Sequence, residues 1–170
     1  LTFRYYTGTP NEEQSYVGNY LRGAIEKETY RCRLVSMHTG KGKSHVMMQT
    51  ADALQKNILI LAHNLKSKAE LEEKFETYMP NMVGYEIMTK AMFVRTNWEG
   101  QTNWEHVLVD ECHYGISKLL IEKVISMGEN VKSLFGFSGT PLTKAFNRND
   151  IQKVFGRVIA MPGAQYQVPI

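Results

Sequence analysis

Three short segments carry residues whose types and spacing could do chemistry. The first is Met37-His-Thr-Gly-Lys-Gly-Lys-Ser44. Gly40 and Gly42 let the backbone curl so that successive N–H groups turn inward, which makes a cradle for phosphate. A helix beginning near Ser44 adds its positive end. In such a cradle Thr39, Gly40, Lys41 and Gly42 line the phosphates, Lys43 reaches the outer phosphates, and the Ser44 hydroxyl ligates Mg2+. Met37 stands where the full phosphate-loop pattern has its first glycine. The plainer reading of this segment is a basic surface turn that caps a helix.

The second segment, Val107-Leu-Val-Asp-Glu-Cys-His113, lies 67 residues further on, counted from Lys43 to Asp110. An apolar run that ends in two carboxylates suits a nucleotide hydrolase. Asp110 would hold the Mg2+ shell, and Glu111 would orient and deprotonate the attacking water. The alternative is a strand ending in a polar turn. Cys112 and His113 lack a C-x-x-C or a second histidine at ligand spacing, which argues against a metal cluster. The third segment is Phe135-Gly-Phe-Ser-Gly-Thr-Pro141. Ser138 and Thr140 bring hydroxyls that could bond His113, unless the segment is a Gly-Pro turn bonded to its own backbone.

These segments need a scaffold that delivers them to one place. Ile58–Ala62 is a continuous apolar run, as expected of a strand buried on both faces of a parallel sheet. Arg33–Met37, Tyr85–Met88, His106–Asp110, Ser133–Phe137 and Arg157–Ala160 are further strand candidates. Between them, residues 11–28, 44–56, 66–78 and 116–127 read as helices, and Ala91–Arg95 as the start of one. In the first helix Tyr16, Tyr20, Leu21 and Ile25 form the expected apolar face. The alternation predicts βαβ units: an α/β fold with a parallel sheet and helices on both faces. Ligands then bind at the carboxyl ends of the strands, where all three segments sit.

Composition agrees with this class. The chain has 170 residues, 43% of them apolar, 22% charged, with a formal net charge of +3. The length fits one domain, and the composition excludes disordered, collagen-like and coiled-coil chains. The charge is too small to argue nucleic-acid binding by itself. No apolar run approaches the roughly 20 residues of a membrane span, and no apolar leader opens the chain. Cys32 and Cys112 suit a reducing compartment. The expectation is a cytoplasmic protein with no membrane contact, in a nucleoid or, if phage-encoded, in the host cytoplasm.

In their order, the three segments together resemble motifs I, II and III of the superfamily 2 helicases and translocases. Asp110-Glu-Cys-His113 and Ser138-Gly-Thr-Pro141 are similar to the D-E-x-H branch. That branch includes restriction-enzyme motor subunits, phage and recombination helicases, and double-stranded-RNA sensors. Ile60-Leu-Ala-His-Asn-Leu65 resembles motif Ia, and Ile87-Met-Thr89 the segment after it, without the family's Tyr-Gln pair. Val154–Ile159 is similar to the end of the first motor domain. The resemblance implies a RecA-like P-loop domain spanning 1–170 that uses ATP and Mg2+. It implies Lys43, Asp110 and Glu111 as catalytic residues, and Gln14 as the glutamine that reads adenine. His113, Ser138 and Thr140 would couple the nucleotide to the strand. His63, Asn64, Lys66 and Thr89 would touch nucleic acid, with Ser67, Lys68 and Lys90 as further candidates. Contacts would be mostly to phosphate, and DNA is favoured over RNA.

The family works as two RecA-like domains, and the second supplies an arginine finger. Only about 30 residues follow motif III, so the chain reads as the first domain alone, with the second absent from it. Slow ATP hydrolysis and no unwinding by this chain are expected. Three further readings stand beside this one: the motor part of a restriction-type translocase, a P-loop kinase, and a degenerate nucleotide-binding module. Trp98 and Trp104 read as packing rather than base-stacking residues, and Met47, Met48, Met88 and Met92 as core filler.

Overall fold

The computed structural model describes residues 3–27, 32–36, 42–101, 103–112, 120, 123–124, 126–127, 130–139 and 157–160. Its six strands are β1 (Cys32–Ser36), β2 (Ile58–Ala62), β3 (Tyr85–Thr89), β4 (His106–Val109), β5 (Ser133–Ser138) and β6 (Arg157–Ala160). They form one sheet in the order β3-β2-β4-β5-β1-β6, with every pairing parallel. The helices are α1 (Glu12–Lys27), α2 (Lys43–Leu54), α3 (Leu65–Tyr78) and α4 (Lys90–Arg95). The expected α/β class holds, and each expected strand is present within a residue or two.

Period-two alternation along β2 explains the layering. Ile58, Ile60 and Ala62 join one core with Val17 and Leu21 of α1, Val46, Met47 and Met48 of α2, and Leu71 and Phe75 of α3. Leu59 and Leu61 face the other core, with Phe93, Trp98, Val107, Val109 and Cys112. Both faces are therefore covered, which is why β2 carries no polar residue. Of the helix expected over 116–127, Leu120 and Met127 pack in this second core, while residues 116–119, 121–122 and 125 lie outside the described residues. Among the described residues no helix is long and apolar enough to cross a membrane.

Two expectations about packing need correction. The buried face of α1 is Gln14, Val17, Gly18, Leu21 and Ala24; of the expected stripe Leu21 is in the core and Tyr20 and Ile25 pack at its margin, but Tyr16 does not. Tyr16 is 47% exposed. The cause is Gly18, where a Cβ would collide with the Gln49 side chain; α1 rolls so that its glycine meets α2. Met92 is not core either: it lies on the outer side of α4, 49% exposed. Trp98 does pack inside, 3% exposed, with its ring against Phe93 and its indole N–H donating to the Phe93 carbonyl at 2.9 Å.

The N-terminal segment is strapped to α2 by one carboxylate. Asp52 Oδ1 accepts from the Tyr5 and Tyr6 amides at 2.5 and 3.1 Å, and Oδ2 from the Arg4 amide at 3.2 Å. The Arg22 guanidinium of α1 meets the same Oδ2 at 3.3 Å. Removing an acceptor strands buried donors, which costs more than the bond itself contributed. Asp52→Ala should therefore lower stability by about 3 kcal/mol in urea or thermal unfolding. A loss below about 0.5 kcal/mol, the ordinary range for surface changes, would show that Asp52 does not hold the strap.

Candidate nucleotide site

The ends of β1, β5 and β4 lie side by side, since β5 pairs with both others. The phosphate segment leaves β1 and enters α2. Within it Met37, His38, Thr39, Gly40 and Lys41 lie outside the described residues. Gly42 is described, and it is the N-cap of α2, with φ 74° and ψ 43°. No side chain caps this helix. By contrast Asn64 and Ser67 form a capping box on α3, and Thr89 caps α4. In the first turn the His45 amide donates to the Gly42 carbonyl at 3.0 Å, while the Lys43 and Ser44 amides lie at the positive end of the helix dipole, where an anion would bind.

Gly42 is required twice over. Its φ is in the left-handed region that disfavours other residues, and a Cβ there would strike the Gln14 amide nitrogen. Gln14 is buried; its Oε1 accepts from the Asn11 amide at 2.9 Å and its Nε2 donates to the Gly42 carbonyl at 3.4 Å. The expected adenine-reading glutamine therefore sits against the phosphate loop. Gly42→Ala should displace Gln14, strain the loop by about 1–2 kcal/mol, and weaken ATP binding measured by titration calorimetry. Unchanged affinity would refute this.

Lys43 points from α2 to the end of β4. Its ammonium lies 2.7 Å from Asp110 Oδ1 and also pairs with Glu111 Oε1. Thus Lys43 and two adjacent carboxylates chosen from the sequence, 67 and 68 positions further on, meet at one point. Burial alone would lower the Lys43 pKa, but the two carboxylates outweigh it and hold the ammonium above the ordinary lysine value. The carboxylate loop is tightly built. The Asp110 amide donates to the Leu61 carbonyl and the Cys112 amide to the Phe137 carbonyl, both at 2.9 Å. The Glu111 amide donates to Asp110 Oδ1 at 2.9 Å, and Glu111 itself has φ 47°. Cys112 is fully buried, and burial pushes its thiol far above the usual range. It is apolar filler rather than a nucleophile.

A divalent ion fits the oxygens present. Ser44 and Asp110 offer a hydroxyl and a carboxylate, hard donors of the kind Mg2+ takes. Both already attract cations: Lys43 meets Asp110, and Lys74 Nζ of α3 donates to Ser44 Oγ at 2.9 Å.

Ser138 is buried at the end of β5, beside the end of β1. His113 and Thr140, its expected partners, lie outside the described residues. The candidate strand contacts divide. His63, Asn64 and Lys66 are exposed at the start of α3, though the Asn64 side chain is engaged as the helix cap. Thr89 is buried, with its hydroxyl accepting from the Met92 amide at 3.1 Å. Lys68 pairs with Glu72 at 3.4 Å. Lys90 turns inward, where its ammonium donates to the Glu111 carbonyl at 2.7 Å. Burial draws its pKa down to about 8 against the pull of nearby Asp110 and Glu111.

Sequence reasoning missed two other groups. Lys74 gave no signal, being one lysine in a charged helix. His45 and Tyr6 pair through Nδ1 and the hydroxyl at 2.6 Å, with Tyr78 edge-on to His45 at 4.8 Å between ring centroids. Tyr5-Tyr6 was the visible signal there. Burial, and secondarily Lys74, lowers the His45 pKa, so the ring stays neutral beside the loop.

A family model described as "Type III restriction enzyme, res subunit" matches residues 7–97, more than half of the chain. The chain belongs to that family. The match takes in the phosphate segment and the end of β3 but stops short of Asp110 and Glu111. No curated protein sequence matches the chain. Among solved structures it is similar to the UvsW helicase of bacteriophage T4, at 18% identity and a TM-score of 0.69, covering 92% of this chain and 64% of that one. The Sulfolobus solfataricus SWI2/SNF2 ATPase core in complex with dsDNA is similar at 16% identity and a TM-score of 0.71, covering 91% and 36%. The Pyrococcus furiosus Hef helicase domain gives 14%, 0.62, 83% and 36%. At these identities the likeness is one of fold. This res-subunit family member has the RecA-like fold of superfamily 2 motor domains, and it spans between 36% and 64% of those three chains.

Proposed function

We propose that this chain is an ATP-binding motor domain that couples Mg2+-ATP hydrolysis to movement on, or unwinding of, nucleic acid. The observation that carries the proposal is the Lys43 ammonium held between Asp110 and Glu111 at the carboxyl edge of the sheet. The uncapped start of α2 and the family match support it. The α2 amides and Lys43 would bind the phosphates. Ser44 and Asp110 would hold Mg2+, which would supply charge neutralisation on the phosphate oxygens. Glu111 would take the proton of the attacking water. DNA is favoured over RNA because the family is described as restriction enzyme subunits.

The cation that stabilises transition-state charge would come from a second motor domain and is worth ~10³–10⁵ in rate. Hydrolysis by this chain alone is therefore expected to be slow, with no strand separation. Titrating ATP with and without Mg2+, followed by single-turnover hydrolysis with and without DNA, tests the proposal. Failure to bind Mg2+-ATP would refute it.

The family match favours one second reading: the same motor serving as a restriction-type translocase, with a nuclease elsewhere. Movement along DNA without strand separation, read by displacement of a third strand, would select it. Phosphate transfer that requires an added acceptor would instead select a kinase.

A further inference from the structure

Lys90 follows Thr89 at the end of β3, among residues expected on the nucleic-acid face. It is instead only 7% exposed. Its ammonium reaches the carbonyl of Glu111, at 2.7 Å. Those two residues follow β3 and β4, strands that are not neighbours. β2 lies between β3 and β4, with Ala62 opposite Thr89 and Leu61 opposite Val109. The Lys90 side chain therefore bridges, over the end of β2, a gap of about two strand spacings of ~4.8 Å each.

Its target is a residue that needs holding. Glu111 has φ 47°, in the left-handed region that a side-chain-bearing residue leaves unless its surroundings fix it. On one side its amide is fixed by Asp110, and the next amide by Phe137. Its carbonyl is fixed by Lys90. Turning that peptide would swing the Glu111 carboxylate away from Asp110 and Lys43. A buried ammonium is costly, and methionine fills the same space without that cost, so a cation here indicates work done by its charge. That charge also remains beside the two carboxylates when Lys43 turns to phosphate.

Resting on the motor reading above, we propose that Lys90 is the positioning residue for Glu111 and ties the end of β3 to the water-activating carboxylate. A strand bound near His63 and Thr89 would then act on hydrolysis through Lys90.

The test compares wild type, Lys90→Met and Lys90→Arg by fluorescent Mg2+-nucleotide binding and by single-turnover hydrolysis with protein in excess. Lys90→Met should lower the hydrolysis rate on the order of tenfold to a hundredfold, the effect of misplacing a reacting group. Its Mg2+-ATP affinity should stay within about threefold, so that rate and binding separate. Lys90→Arg should recover most of the rate. A Lys90→Met rate equal to wild type overturns the role. So does a loss of rate and affinity together that Lys90→Arg leaves uncorrected, which marks a merely structural lysine. If Lys90→Met fails to fold, Lys90→Gln carries the same comparison. Wild type that does not bind Mg2+-ATP overturns the motor reading itself, and that result precedes any variant.

Discussion

Lys43→Ala is expected to reduce Mg2+-ATP affinity by about a hundredfold or more, the scale of a lost charge-assisted bond plus two newly unbalanced carboxylates. The second term follows from the geometry. Lys43 is 15% exposed in its side chain and is shared between Asp110 and Glu111, whose side chains are 10% and 29% exposed. Without it, two carboxylates face the incoming phosphates. The fold should also lose about 1–2 kcal/mol, less than the 3–5 kcal/mol of a fully buried pair, because water reaches Glu111. The sign of the pH dependence is fixed. The folded Lys43 pKa is raised, so its contribution is complete below the ordinary lysine pKa and is lost as pH rises through the folded value. Calorimetric titration and thermal unfolding at two pH values check both parts. Retained Mg2+-ATP binding in Lys43→Ala would remove the phosphate site.

The parts of this site legible in the sequence are those that use one strong local signal. β2 and β4 announce themselves as short apolar runs because both faces of a parallel sheet are covered. Asp110 and Glu111 are visible because a strand delivers them, and Lys43 because glycines precede it. Less visible was anything that depends on which strand lies beside which. The order β3-β2-β4-β5-β1-β6 is not encoded in hydrophobic period. Yet that order is what sets Lys90 within reach of Glu111 and Lys74 within reach of Ser44. Lys74 read as one charge in a charged helix and Lys90 as a candidate nucleic-acid contact, since a lysine's type says nothing of where its ammonium ends. One position of the α1 face was misread for a related reason. The aromatic Tyr16 suggested burial, but close approach at Gly18 decided the roll of the helix, which leaves Tyr16 exposed and Tyr20 and Ile25 at the core margin.

Glu111→Gln separates binding from chemistry, and its effect on rate is expected to be the largest of all. A general base contributes about 10²–10⁴ in rate, so single-turnover hydrolysis should fall at least about a hundredfold. Binding should not fall with it. In the free chain Glu111 competes with phosphate for the Lys43 ammonium. The amide is neutral and releases that hold, while Asp110 keeps its own contact with Lys43. Mg2+-ATP affinity should therefore equal or exceed that of wild type. The amide keeps the side-chain length, and the Glu111 peptide remains fixed through its backbone by Asp110 and Lys90, so loss of fold is not expected. Asp110→Asn should behave differently, because it removes both a Lys43 partner and the candidate Mg2+ ligand, and so should weaken binding as well as rate. The two variants thus assign the two carboxylates separate tasks. A Glu111→Gln chain that hydrolyses at the wild-type rate would place the base elsewhere. A Glu111→Gln chain that loses both binding and turnover would make Glu111 a ligand rather than a base.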